Sequence, residues 1–274
     1  MPYSKFWLLT FFIIFLTLNS FADDKVDFSS ETFLQKYKSL NFNISTTVNN
    51  LKYVESIESY EHYFAQSVIE NSIECFKEHK DSFLTAAKKF GVSHNIILAI
   101  LTVETNCGSY QPKHSIMEAY KSLIEVAEDP NKQEEVYKEI LKKYPNTEKD
   151  WYLKRVEKKS SWAKGQIDAL KKIYTDRHLD IFQIKGSWAG AFGLSQFIPT
   201  TYINIAVDGD NDSNINLDTF PDAIYSIANY FRLSGWNDNL QDKDKINVIY
   251  KYNHSKLYCE TILKLSKLFA DKTI

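Results

Sequence analysis

Gly186-Ser-Trp-Ala-Gly-Ala-Phe-Gly-Leu-Ser-Gln-Phe-Ile-Pro199 carries three of the chain's eight glycines. A chain otherwise sparing of glycine thus concentrates its backbone freedom in one stretch. Glycine admits angles and close approaches that a β-carbon forbids, and such clustering points to backbone lining a groove. The stretch also holds a hydroxyl (Ser187), a carboxamide (Gln196) and two aromatic rings (Trp188, Phe197), a set suited to sugars. By itself it is equally compatible with glycines at helix ends and in a tight helix contact.

Upstream runs Ile96-Ile-Leu-Ala-Ile-Leu-Thr-Val103, followed at once by Glu104 and closed by Gly108. Apolar residues on every face predict a helix buried all round. Gly91 suits the C-cap of the helix before it, and Ser93 the N-cap of this one. A carboxyl at the edge of such a helix is partly desolvated, which disfavours its charged form. A glutamate kept protonated beside a groove is what general acid catalysis at a glycosidic oxygen needs. The bland alternative is a Glu104 pointing to solvent where the helix ends.

The rest of the chain also reads as helical. Val54, Ile57, Tyr60, Phe64 and Val68 follow the spacing of one amphipathic stripe. Residues 81–90 form another helix ending at Gly91, and periodic Lys- and Glu-rich segments cover 116–144 and 148–174, broken at Pro130 and Pro145. A helix over 222–234 stops at Gly235, and 243–270 holds one or two more. Neither an extensive sheet nor a repeat is predicted. The polar residues 23–30 read as a flexible start to the mature chain.

Val103-Glu-Thr-Asn-Cys-Gly108, the glycine segment, Ala206-Val-Asp-Gly-Asp-Asn-Asp-Ser-Asn-Ile-Asn-Leu217, Ala228-Asn-Tyr-Phe231 with Gly235-Trp236, and Tyr252-Asn253 occur in that order. Together they resemble the lytic murein transglycosylases of the B family, strongly over 91–109 and 186–258 and traceably from about residue 30. The resemblance implies a mainly α, lysozyme-like (goose-type-like) catalytic core over about 91–274. An EF-hand-like loop and a helical N-terminal part over about 30–90 complete the expected fold. It implies cleavage of peptidoglycan glycan strands between N-acetylmuramic acid and N-acetylglucosamine, with Glu104 as acid and then base and a 1,6-anhydro product. No organic cofactor is expected.

The site residues that the resemblance implies are Ser187 and Gln196 on the sugar and its acetamido group, with Tyr230, Tyr252 and Asn253 in the cleft. Tyr60 in Tyr60-Glu-His-Tyr-Phe64 matches a further cleft tyrosine at slightly different spacing. Where the family presents an arginine pair to the sugar-peptide, this chain has Lys158 and Lys159, which lack the planar fork of arginine. The stretch 117–160 departs most from the family and reads as a charged, solvated helical insertion, or else a lid or docking arm.

Asp208, Asp210 and Asp212 alternate as the side-chain ligands of a Ca²⁺ loop do, with Asn214 at the backbone-carbonyl position. Ser213 and Thr219 depart from the standard loop, and the family's longer loop closes on an Asp, here Asp222. A structural Ca²⁺ is therefore expected, against the alternative of a solvated acidic turn.

Residues 1–22 read as an export signal, with Lys5, the apolar run 6–18 and Ser20-Phe21-Ala22 before the cut. The run is short for a membrane span, and no Cys at the cut supports a lipid anchor. A soluble, exported bacterial protein of the periplasm is expected, without a stable span after cleavage; an uncleaved signal anchor is the alternative. Removing that segment takes one lysine and no acid from a net charge of -2, and nothing forms a basic stripe for nucleic acid. The sequence names no protein partner. Cys75, Cys107 and Cys259 allow at most one disulfide and read as packing residues, Cys107 one turn after Glu104 on the same helix face. A goose-type-like muramidase and a non-catalytic, Ca²⁺-stabilised peptidoglycan-binding protein are the rival functions.

Overall fold

Helix follows helix along residues 27–273, the part of the chain that the computed structural model describes; the expected export signal lies outside it. In order, the elements are α1 (Ser30–Ser39), α2 (Ile44–Leu51), α3 (Glu58–Glu61) running into a 3-10 turn (His62–Phe64), α4 (Gln66–Glu78), α5 (Lys80–Phe90) and α6 (His94–Thr105). The two-residue strand β1 (His114–Ser115) leads to α7 (Ile116–Glu128), α8 (Pro130–Lys143) and α9 (Lys149–Arg177). Then come β2 (Lys185–Gly186), α10 (Pro199–Ile205), α11 (Phe220–Leu233), α12 (Asp242–Tyr252) and α13 (Lys256–Ala270). Among the described residues the only named sheet is the antiparallel pair β1–β2, with His114 opposite Gly186.

Local chemistry sets the boundaries near the site. Gly91 ends α5 in the left-handed region at φ 66°, and the Ser93 hydroxyl caps α6 by accepting from Asn95 N–H. Every residue from Ile96 to Val103 is buried, as an all-apolar helix requires. The helix ends one residue past Glu104, because Asn106 and Cys107 turn left-handed and Cys107 N–H reaches back to Leu101 O at 3.0 Å. Cys107 is therefore in the turn and not on the helix face of Glu104. All three cysteines are buried free thiols.

Two apolar cores result. The first gathers α4, α5, α6, α11 and α13 around Ile97, Ile100, Phe231 and Leu265; the second gathers α7 and α9 with α1, α2 and α10 around Tyr120, Leu123, Leu170 and Tyr174. Tyr230 and Tyr252 pack against both. The helices of residues 30–90 are thus divided, α1 and α2 joining the second core and α4 and α5 the first.

Three further expectations are corrected. The segment 117–160 is not a solvated insertion: Ile116, Met117, Tyr120 and Leu123 of α7 are fully buried. Its charges misled because they satisfy one another, Lys121 pairing with Glu125 at 2.6 Å and donating to Leu40 O at 2.7 Å. The 54–68 stripe is not one helix, since Ala65 is extended (ψ 141°) between the 3-10 turn and α4, and Val54, Ile57 and Phe64 are exposed. The described part of the polar start is docked: Ser29 caps α1, and Tyr174 donates to Asp27 O at 2.6 Å.

The glycine segment folds back on itself without forming a helix. Ser187 N–H bonds Ala191 O, Phe192 and Phe197 exchange both backbone bonds, and Leu194 N–H donates to Leu217 O at 2.7 Å. Gly193 sits at φ 72°, where a Cβ would lie 2.3 Å from the Leu217 Cβ. Left-handed strain and overpacking then act together, so Gly193→Ala should lower stability by about 2–5 kcal/mol. Urea unfolding checks this; an unchanged midpoint would mean that the packing against Leu217 is not as described.

Candidate active site

Glu104 is the penultimate residue of α6 and meets α13 there. Tyr258 donates its hydroxyl to Glu104 Oε1 at 2.6 Å. The residue keeps some exposure, yet its carboxyl lies deep enough that burial pushes it up to about 7, the Tyr258 hydrogen bond opposing part of the rise. At neutral pH it is therefore poised between acid and carboxylate. Tyr63 stands close by, donating to Val103 O at 2.9 Å, and burial followed by the Glu104 charge pushes its hydroxyl up to about 12.

An aromatic wall faces this carboxyl. Tyr252, the last residue of α12, stacks parallel to Tyr258 with centroids 6.4 Å apart and meets Tyr230 edge-on at 4.8 Å. Phe197 lies 6.0 Å from Tyr230 and 5.9 Å from Tyr252. Tyr252 donates to Ser195 O, which ties α12 to the glycine segment, and Tyr230 donates to Lys251 O at 2.6 Å. Asn253 caps the C-terminus of α12 beside Tyr252. Gln196, next to Ser195, is held left-handed at φ 47° while its amide donates to Gly193 O at 2.8 Å. Glu104, Tyr252, Tyr230 and Gln196 thus belong to one connected surface.

Other expected residues lie further out. The Ser187 hydroxyl accepts from Ala191 N–H at 3.2 Å, and Trp188 packs on Tyr53 at 5.3 Å. Lys159 lies 4.4 Å over Trp162, which packs on Tyr120, and Tyr120 donates to Gly190 O. Lys159 therefore reaches the glycine segment through two aromatic rings. Burial, then Arg155 and Lys158, lowers its ammonium to about 8, whereas Lys158 is exposed. A cavity of about 590 Å³ opens beside Gly193 and Leu194, lined by Tyr110, Asp180, Tyr202 and Asn216, and Glu104 is not in its wall.

Tyr258 was not foreseen. Ser255 followed by a periodic apolar run marks the start of α13, but nothing in the sequence says that its third residue meets a glutamate 154 positions away. Glu55 was missed as well. It accepts from Tyr60 at 3.1 Å and from Ser255, which brings a second carboxylate to the site.

In the acidic loop, Asp208, Asp210 and Asp222 each offer a carboxylate oxygen, all within 4.8 Å of one another. Asp212 is outside this cluster, its carboxylate turned to Asn214 N–H at 2.7 Å. Asp222 is buried, and both of its oxygens accept backbone N–H groups, of Gly209 and Asn216, at 2.6 Å. Burial raises its pKa in spite of these bonds, with Asp210 and Asp208 adding to the rise. Backbone N–H groups also donate to Asp208 and Asp210, yet three carboxylates so close together remain a hard, oxygen-only donor set chemically suited to a divalent cation.

Known proteins resemble this chain in sequence and in fold. The model of the transglycosylase SLT domain matches residues 23–243. Membrane-bound lytic murein transglycosylase B of Escherichia coli is 29% identical over 168 residues, covering 61% of this chain and 38% of that protein's length. The soluble lytic transglycosylase SltB1 of Pseudomonas aeruginosa superposes with TM-score 0.71 at 19% identity, covering 89% of this chain and 93% of that one. The Escherichia coli lytic transglycosylase SLT35 in complex with calcium gives 0.63 at 21%, covering 79% and 78%. The mainly α, lysozyme-like architecture expected of this chain is the one these structures share. By the extent of the domain match, the chain belongs to the transglycosylase SLT domain family.

Proposed function

We propose that the protein is a peptidoglycan lytic transglycosylase, and the observation that carries this is Glu104, whose carboxyl is pushed up to about 7 by burial beside an aromatic wall. Glu104 gives its proton to the oxygen linking N-acetylmuramic acid to N-acetylglucosamine, and the substrate's acetamido group stabilises the oxocarbenium-like centre. Tyr258 then hydrogen-bonds the carboxylate that forms, favouring its charge. That carboxylate takes the proton of the muramic C6 hydroxyl, whose oxygen closes the 1,6-anhydro ring. Gln196, Tyr230, Tyr252 and Asn253 bind the sugars, with Tyr60 and Ser187 at the edges. Lys158 and Lys159 attract the acidic stem peptide. The chain acts in the periplasm after loss of residues 1–22. Among the described residues no helix is long and apolar enough to cross a membrane.

Asp208, Asp210 and Asp222 would hold a structural Ca²⁺ in an EF-hand-like loop, with Asn214 as a further oxygen donor. The ion supplies charge neutralisation to the loop between the glycine segment and α11. It takes no part in bond cleavage.

Mass spectrometry of fragments released from purified peptidoglycan tests the reaction. An anhydro product is one water lighter than a hydrolysed one, and release of reducing ends would replace this reading with a goose-type-like muramidase. The acid must be protonated to act, so kcat/KM should be level below pH 7 and fall about tenfold per unit above it. A profile breaking near pH 4.5 would mean that Glu104 is an ordinary carboxylate.

A further inference from the structure

Glu55 lies between α2 and α3, in a stretch without regular structure, and two hydroxyls converge on it. Tyr60 donates to its Oε1 and Ser255 to its Oε2. Ser255 is also the N-cap of α13, its oxygen accepting from Tyr258 N–H at 3.1 Å. Tyr258 in turn donates to Glu104. A serine hydroxyl has one proton and two lone pairs. With the proton committed to Glu55, the oxygen is held in orientation to accept from Tyr258.

We infer that Glu55 is a positioning residue: it fixes the Ser255 cap, and with it the first turn of α13, so that Tyr258 meets Glu104. A hydrogen bond to a carboxylate is stronger than one between neutral groups, and an anion near a helix N-terminus is favoured by the dipole. Because Tyr258 is the third residue after the cap, its backbone N–H is the one the cap holds, and a small shift there moves the phenol relative to Glu104. Tyr60, expected as a sugar-binding residue, is anchored on the same carboxylate. The inference concerns the reaction proposed above and rests on Glu104 being its acid.

Carboxyl-labelled glutamate NMR gives a readout that does not need turnover. The Glu104 signal, assigned by its loss in Glu104→Gln, is titrated in the wild type, Glu55→Gln, Ser255→Ala and Ser255→Thr, with circular dichroism checking the fold. Glu104 is acted on by its burial and by Tyr258, with Tyr63 and Tyr252 beside it; Glu55 is faced by Tyr60, Ser255 and Cys259. Since the Tyr258 bond lowers the Glu104 pKa, loosening it should raise the midpoint by at least about half a pH unit. That rise is expected in Glu55→Gln and Ser255→Ala, while Ser255→Thr, which keeps the hydroxyl, stays near the wild type. On peptidoglycan, kcat of the first two should fall roughly ten- to a hundredfold with KM within about twofold. An unmoved midpoint in both folded variants overturns the inference. If the wild type yields no anhydro product, the parent reading fails, and the titration still decides whether Glu55 positions Tyr258.

Discussion

Glu104→Gln should lower muropeptide release by about 10²–10⁴-fold, the usual worth of general acid–base assistance, while the protein melts at a higher temperature at pH 8. The carboxamide keeps the shape of the side chain but cannot donate a carboxylic proton to the glycosidic oxygen. The gain in stability follows from the same burial. The folded carboxyl titrates at about 7 against 4.5 for a free side chain, so between those values the unfolded chain has lost a proton that the fold retains. Stability is full below pH 4.5, declines up to 7 and stays lowered above it, by on the order of 3 kcal/mol at about 1.4 kcal/mol per unit. The variant removes that loss. Thermal melts of both proteins at pH 4 and pH 8 check it. Near-normal turnover by a well-folded variant would sink the catalytic assignment, and equal pH dependence of the two melting curves would show that Glu104 is not buried as described.

Ca²⁺ should raise the melting temperature of the wild type and leave Asp210→Ala unmoved. Asp208, Asp210 and Asp222 bring their oxygens within 4.8 Å of one another, and without a cation that repulsion bears on a loop clamped to α11 through Asp222. An ion bound only by the folded state stabilises by about 2.7 kcal/mol at a hundredfold excess over its dissociation constant. Calorimetric scans with Ca²⁺ and with a chelator measure this. Wild-type curves indifferent to both would return the segment to a solvated acidic turn.

Much of this site is written locally. Gly91, Ser93 and Gly235 mark helix ends by backbone chemistry, and the apolar run 96–103 declares its own burial. Glu104 follows from being the first carboxyl after that run. What stayed hidden depends on long-range pairing. Lys121 and Glu125 are ordinary surface types until α7 packs on α9, where each neutralises the other and the helix goes inside. Glu55 is one acid among many until the fold brings it to Ser255, 200 positions away. The alternation of Asp208, Asp210 and Asp212 points to three side-chain ligands, yet Asp212 lies outside the cluster with its carboxylate on the backbone N–H of Asn214, a placement that spacing does not reveal.

Tyr230 and Tyr252 pack against both cores, so the surface facing Glu104 is also where the two halves of the molecule share side chains. A ligand lying across these rings touches both halves at once. Its binding and the association of the halves are then linked equilibria: any change that tightens their association strengthens binding, and bound ligand tightens the association by the same factor.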